Sequence, residues 1–273
     1  MNVGFIGTGN MGRILIEAFI ESHALRPSSI YMTNRTLTKA SNIKSFYPNT
    51  NIVRSPEEVV ERSDLIFICV KPLDIHPLLL KLNPLLLPNK CIISITSPIN
   101  VEQLEQLVNC QVARVIPSIT NRALSGVSLL TFGKSCHRET KNIIEELLRK
   151  ISTPVHIEDE VTRVSSDIVS CGPAFFSYIL QRFVDGAVKE TSITHDQAVQ
   201  LASEMIIGMG KLLETELYTL PTLQEKVCVK GGVTGEGIKV LAAETGEMFE
   251  KLFKSTHDKY YEDIEHITQQ FGK

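Results

Sequence analysis

"GFIGTGNMG", residues 4–12, ends in the spacing Gly7-x-Gly9-x-x-Gly12, directly after the apolar run "NVGFIG" (2–7) and at the head of "MGRILIEAFI" (11–20). Where such a motif joins a strand to a helix, Gly7 allows the turn, Gly9 lets backbone approach a pyrophosphate, and Gly12 lets helix and strand pack closely. The helix N-terminus then offers N–H groups and a partial positive charge to the phosphates. The stretch therefore reads as a dinucleotide cradle made by Gly7, Thr8, Gly9, Asn10, Met11 and Gly12. The plainer alternative is a structural turn, or a site for another nucleotide-like ligand.

Outward from this loop the first half alternates short apolar runs with amphipathic ones, the rhythm of βαβ units around a parallel sheet. Strands are predicted at 2–7, 30–34, 51–53, 64–70, 91–96, 111–116 and 126–131, and helices near 11–22, 36–46, 56–61, 74–81 and 101–108. One helix start is explicit: Ser55-Pro56-Glu57-Glu58 places a capping Ser before Pro at the first helical position, with Glu three residues after the cap. After Pro154 helical spacing takes over. It predicts a helix from about Asp159 to Glu190 that Gly172-Pro173 kinks or breaks, a second over 195–217 opened by His195-Asp196, and a third from near Thr234 to about His257. The expected fold class is α/β, with an N-terminal Rossmann dinucleotide-binding domain (1–158) followed by an all-helical dimerisation and substrate domain (159–273). A single domain with a helical layer on the sheet is the alternative.

Composition narrows the partners. Of 273 residues 43% are hydrophobic and 22% charged, and 28 basic residues face 31 acidic ones without a long like-charged block, so neither nucleic acid nor an anionic membrane is expected. The oiliest stretch, "PLLLKLNPLLLP" (77–88), is interrupted by Lys81, Asn83 and prolines, too short and broken to span a bilayer. No basic segment precedes an apolar one at the N-terminus, so export is not expected. The six cysteines form no C-x-x-C pair and read as reduced thiols in a cytoplasmic protein. The seven histidines show no metal-ligand spacing, so no metal is expected.

The end of the second predicted strand bears on which dinucleotide binds. An NAD site would place Asp or Glu about 20 residues beyond the glycines, on the ribose 2′-hydroxyl. This chain has "TNRTLTK" (33–39), where Asn34, Arg35 and Thr36 supply an amide, a fixed cation and a hydroxyl suited to a 2′-phosphate. NADP(H) is thus favoured over NAD(H); alternatively Arg35 is a solvated loop residue and both cofactors are accepted. Val70, Lys71 and Pro72 leave the fourth strand at the carboxyl edge of the sheet, where they line the expected cofactor groove or, more plainly, put a solvated Lys before a helix.

Together, "GFIGTGNMG", "NRT", "VKP", "RVIPS", "CGPAFF" and "GGVTGEG" resemble, in order and over essentially the whole chain, the pyrroline-5-carboxylate reductase family. The resemblance implies a Rossmann domain, a helical domain that dimerises and builds much of the active site with its partner, and NAD(P)H-dependent reduction of a cyclic imine, 1-pyrroline-5-carboxylate, to L-proline. It also implies that Thr234 is the threonine whose hydroxyl reaches the substrate ring nitrogen, and that Ser118 and the segment Lys230, Gly231, Gly232, Val233 and Thr234 contact substrate. A hydroxyl can orient an imine and help deliver its proton, and backbone N–H groups at Gly231 and Gly232 could hold a carboxylate. The plainer readings are that Thr234 caps a helix and Lys230 points into solvent.

Departures concentrate at the substrate motifs. Where the family reads "MPNTP" this chain has "IPSIT" (116–120); for "SGSGPAY" it has "VSCGPAF" (169–175); for "SPGGTT" it has "VKGGVT" (229–234); and Ser55 stands for the Asn of the adenine-side loop. This pattern resembles the divergent ComER branch found with late competence genes of bacilli, which implies a link to sporulation and biofilm control. Two hypotheses therefore stand side by side: a reductase of a cyclic imine, and a dinucleotide-binding regulator with weakened catalysis. A structural homodimer without ligand would leave the glycine loop without a role beyond turn geometry.

Overall fold

The four residues Val3–Ile6 that precede the glycine loop are all buried, as a strand covered on both faces requires. The computed structural model describes residues 1–271. Its elements run β1 (Val3–Ile6), α1 (Asn10–Glu21), β2 (Ile30–Thr33), α2 (Leu37–Phe46), β3 (Asn51–Ile52), α3 (Pro56–Arg62), β4 (Leu65–Ile68), α4 (Pro72–Leu82), β5 (Cys91–Ser94), α5 (Val101–Glu105), β6 (Gln111–Ile116), β7 (Val127–Phe132), α6 (Arg138–Arg149) and β8 (Thr153–His156). Then come α7 (Thr162–Ser166), α8 (Gly172–Glu190), α9 (His195–Glu214), α10 (Leu220–Val227), α11 (Val233–Thr245) and α12 (Met248–Gln270).

The eight strands form one sheet in the order β3-β2-β1-β4-β5-β6-β7-β8. Strands β1 to β6 are mutually parallel, whereas β7 pairs antiparallel to β6 and β8 runs parallel to β7. The reversal at β7 has a simple cause: only residues 117–126 separate it from β6, too few for the crossover that a parallel partner needs. Strand β1 sits where the strand order reverses, and its carboxyl end opens the crevice in which such sheets bind ligands.

Two apolar layers sandwich the sheet. On one face Phe5, Phe19 and Phe67 meet, with the Phe5 and Phe67 rings stacked at 5.0 Å, and Ile144, Leu147 and Leu148 of α6 close the layer. On the other, Ile6, Ile66 and Ile68 pack against Val59, Ile75, Leu79 and Ile267. Ser55 caps α3 as expected, its Oγ accepting from the Glu58 N–H at 3.2 Å with Pro56 at the first helical position.

The compact units are drawn differently from the expected 1–158 and 159–273 boundary: one comprises Met1–Pro173 with Thr256–Lys273, the other Ala174–Ser255. Residues 159–173 stay with the sheet because polar bonds tie them there. Arg114, 2% exposed on β6, donates to Asp159 at 2.6 Å and Thr162 at 2.9 Å, and Ser170 donates to the Pro117 carbonyl at 2.8 Å. The C-terminal end of α12 belongs to the same unit because Ile267 is buried in the sheet's second layer. In the other unit Val184, Ala198 and Ala202 form a small core between α8 and α9.

Of the kink or break expected at Gly172-Pro173, the break is absent, since both residues lie in α8. A π-helical turn, Asp167–Cys171, leads straight into α8. Pro173 lacks the N–H that would bond the Val169 carbonyl, and that carbonyl accepts the Ser118 hydroxyl instead, at 2.7 Å. The long final helix expected from near Thr234 divides into α11 and α12 at Gly246, whose φ of +42° no helix accommodates.

Candidate functional site

The glycine loop is shaped by two close approaches. Gly7 has φ +105°, and a Cβ there would lie 2.3 Å from the Cys69 carbonyl oxygen; a Cβ on Gly12 would lie 2.2 Å from the Gly7 carbonyl oxygen. Gly9 differs: it is the N-cap of α1, with φ −70°, and nothing stands within 4 Å of a Cβ built on it. It offers no side-chain cap, and the first helical hydrogen bond is made by the Arg13 N–H to the Gly9 carbonyl at 2.9 Å. The N–H groups of Asn10, Met11 and Gly12 precede that bond, at the positive end of the helix.

A cleft of about 680 Å³ opens at this loop, a volume within the usual range for small-molecule sites. Gly7 and Gly9 form part of its wall, Asn34, Arg35 and Thr36 another, and Val70 with Lys71 a third, so seven of the sequence-predicted cofactor residues meet in one place. Thr8 and Gly12 are buried beneath, Met11 is half-buried and Asn10 exposed. Pro72 opens α4 after Lys71, its N-cap, and lines a neighbouring hollow of about 330 Å³ rather than the cleft.

Asn34 has a more specific task than was read from sequence. Its Oδ1 accepts from the Thr8 N–H and its Nδ2 donates to the Thr36 carbonyl, both at 3.0 Å. The side chain thereby braces the glycine loop against the β2–α2 turn, leaving Arg35 and Thr36 as the more available polar groups there. Lys39, Arg54 and Asp74 also line the cleft and were missed. Lys39 lies within the quoted "TNRTLTK" and Asp74 ends the stretch "VKPLD" (70–74) that leaves the fourth strand; no motif marks Arg54. Burial pushes the Cys69 thiol on the cleft wall well above its ordinary range, so it stays protonated and is no nucleophile.

Ser118 is held within the fold. It is 1% exposed, and its hydroxyl donates to the Val169 carbonyl at 2.7 Å while accepting from the Thr120 hydroxyl at 2.9 Å. Its N–H donates to Asn121 Oδ1 at 2.8 Å, capping the 3-10 turn Ile119–Ala123. These bonds give the Ser118 hydroxyl a structural task within the fold. The same turn is anchored on α1 by Arg122, which bonds Glu17 at 3.0 Å and also Glu21.

In the second unit, the glycine-rich segment stands at the start of α11. Gly231 has φ +77°, Gly232 is the N-cap without a side-chain cap bond, and Val233 is 90% exposed. Thr234 is therefore the second residue of the helix and does not cap it; it is half-buried, and Lys230 is exposed with no ion-pair partner among the described residues. Among the described residues no group of three His, Cys, Asp or Glu is placed to hold a metal ion, and no helix is long and apolar enough to cross a membrane.

Comparison with known proteins adds the family. Residues 2–98 match the family described as NADP oxidoreductase coenzyme F420-dependent, and residues 159–263 match pyrroline-5-carboxylate reductase dimerisation. ComE operon protein 4 of Bacillus subtilis is 61% identical over 271 residues, covering 99% of both chains. The chain belongs to the pyrroline-5-carboxylate reductase family. Within it, that identity places the chain with the ComER branch, since pyrroline-5-carboxylate reductase 3 of the same organism is 29% identical over 99% of this chain and 98% of its own. A pyrroline carboxylate reductase from Plasmodium falciparum, solved with NADP bound, shares the fold at a TM-score of 0.81, with 19% identity over 98% of each chain. The match at 159–263 supports self-association through the helical part of this reductase-family chain.

Proposed function

We propose that the protein is an NADP(H)-dependent reductase of 1-pyrroline-5-carboxylate or a close cyclic imine, acting as a cytoplasmic homodimer. The observation that carries the reading is the cleft: a bare Gly9 facing open space at a helix N-terminus, with Arg35 beside it and no acidic residue on the β2–α2 turn. A phosphate-bearing dinucleotide fits those groups, with the pyrophosphate on Gly9, Asn10 and Met11, and a 2′-phosphate on Arg35 and Thr36. Bound there, NADPH supplies a hydride for the carbon of a C=N bond. The remaining demands fall on the chain itself. Thr234, free of capping duty, holds the ring nitrogen and helps it keep the proton that makes an iminium; the Gly231 and Gly232 N–H groups and the Lys230 ammonium hold a carboxylate. Positioning is the main requirement, since hydride transfer needs the reacting atoms held about 3–3.5 Å apart but no nucleophilic side chain.

A second reading has its own support. The sequence departs from the family at the substrate motifs, Ser118 is committed to the fold, and identity is 61% to ComE operon protein 4 against 29% to a reductase. These favour a dinucleotide-binding regulator with weakened catalysis. Steady-state kinetics with NADPH and pyrroline-5-carboxylate separate the two. The reductase reading predicts turnover that Thr234→Ala lowers strongly in kcat/KM while NADPH affinity is kept; tight NADPH binding without turnover would select the regulator.

A further inference from the structure

Arg35, Lys39, Arg54 and Lys71 line the candidate cleft, and among the described residues none of the four side chains is in a salt bridge. Elsewhere in this sheet unit Arg13, Arg114, Arg122, Arg149 and Arg163 have carboxylate partners, whereas Arg26, Arg62 and Arg138, like the cleft arginines, are in no salt bridge among the described residues. The four cleft cations outnumber Asp74, the carboxylate that lines the same cleft, and leave a net positive charge there, the arrangement that favours an anion.

Arg54 is the one among them that no motif marks. Strand β3 pairs parallel with β2 through Tyr31↔Asn51 and Met32↔Ile52, and the Val53 N–H continues the ladder to the Met32 carbonyl at 3.0 Å. One residue on, Arg54 leaves the sheet beside the Asn34–Thr36 turn, at the spacing of neighbouring strands. Its backbone is pinned there. The Arg54 N–H donates to Glu58 Oε2 at 3.3 Å, and the Glu58 N–H in turn donates to Ser55 Oγ at 3.2 Å. The Glu58 carboxylate is thereby engaged with backbone, and the Arg54 guanidinium has no hydrogen-bond or ion-pair partner among the described residues.

We infer that Arg54 is a specificity-determining residue for the 2′-phosphate of NADP(H), supplying from the β3–α3 side a second cation opposite Arg35. The inference rests on the dinucleotide reading of the cleft and deepens it. A phosphate monoester carries about −1.5 to −2 charges at neutral pH, so one exposed Arg neutralises only part of it. A guanidinium fork matches two phosphate oxygens at once, which a lysine cannot do. The 2′-hydroxyl of NAD(H) offers no charge, so Arg54 contributes to discrimination between the two cofactors rather than to uniform binding.

The test measures dissociation constants of NADPH and NADH for the full-length protein, Arg54→Gln and Arg54→Lys, with far-UV circular dichroism confirming that each variant folds. Arg54→Gln is expected to weaken NADPH about tenfold while NADH moves by less than about twofold. Arg54→Lys should fall between wild type and Arg54→Gln, and the salt dependence of NADPH binding should become shallower in Arg54→Gln. Equal weakening of both cofactors, or of neither, overturns the inference. Wild-type protein that binds NADH but not NADPH overturns it and spares the dinucleotide cleft; wild-type protein that binds neither overturns both.

Discussion

Gly12→Ala and Gly9→Ala separate a fold-shaping glycine from a ligand-facing one. Helix propensity alone makes Ala at position 12 stabilising by about 1 kcal/mol. The structure opposes this, because the new Cβ would stand 2.2 Å from the Gly7 carbonyl oxygen, well inside the 3.4 Å at which ordinary contact begins. Relief requires α1 or the loop to move by about 1 Å, and overpacking of that kind costs about 1–3 kcal/mol. The net expectation is a loss of up to about 2 kcal/mol, or up to about 8 °C in Tm for a unit of this size. Gly9→Ala meets nothing within 4 Å and keeps an allowed φ of −70°, so apo stability should change by less than about 1 kcal/mol. Its methyl nevertheless projects from a residue of the cleft wall, and NADPH affinity should fall by about tenfold or more. Denaturant unfolding of the apo proteins at matched concentration, with NADPH titrations, provides the readout. The reasoning is refuted if Gly9→Ala destabilises as much as Gly12→Ala, or binds NADPH as wild type does.

Three further expectations concern the sheet unit. Ser118→Ala leaves the half-buried Val169 carbonyl without the hydroxyl that replaces Pro173's missing donor, so it should cost about 1–2 kcal/mol in denaturant unfolding. Asp159→Ala strands a guanidinium that is 2% exposed, whereas Arg114→Met leaves a carboxylate 41% exposed that water can reach; the first should cost about 2–3 kcal/mol and more than the second. Burial, with a hydrogen bond to Glu21, pushes the Tyr47 phenol up to about 12, so the folded state holds its proton more tightly than the unfolded chain. This contribution to stability is complete below the ordinary tyrosine range near pH 10 and is lost as pH rises through about 12; Tyr47→Phe should remove that loss from the alkaline unfolding profile.

The parts of this fold that were legible in the sequence are those fixed by local chemistry. The apolar run before Gly7, the Ser55-Pro56 helix start and the helix from His195 each carry their signal within a few residues, and each is present. Strand β8 was missed because "TPVH" is short, largely exposed and contains Pro, which only an edge strand tolerates. Helix α6 is absent from the sequence expectation although Ile144, Leu147 and Leu148 show helical spacing, a signal legible in the sequence. The π-turn before Gly172-Pro173 depends on a hydroxyl from a loop about 50 residues earlier, and no local pattern announces such a partner. At the candidate site the same division holds. Gly7, Gly9, Arg35 and Lys71 follow from motif and strand order, whereas Arg54 enters only through the pairing of β3 with β2. The commitment of Asn34 and Ser118 to backbone partners is likewise a tertiary fact.

The most direct test of the reductase assignment follows deuterium from the nicotinamide carbon of labelled NADPH, incubated with the purified protein and pyrroline-5-carboxylate, into product by mass spectrometry. The account predicts proline carrying one deuterium, formed in step with cofactor oxidation and suppressed in Thr234→Ala. Unlabelled substrate recovered intact beside fully bound, unoxidised NADPH would contradict it.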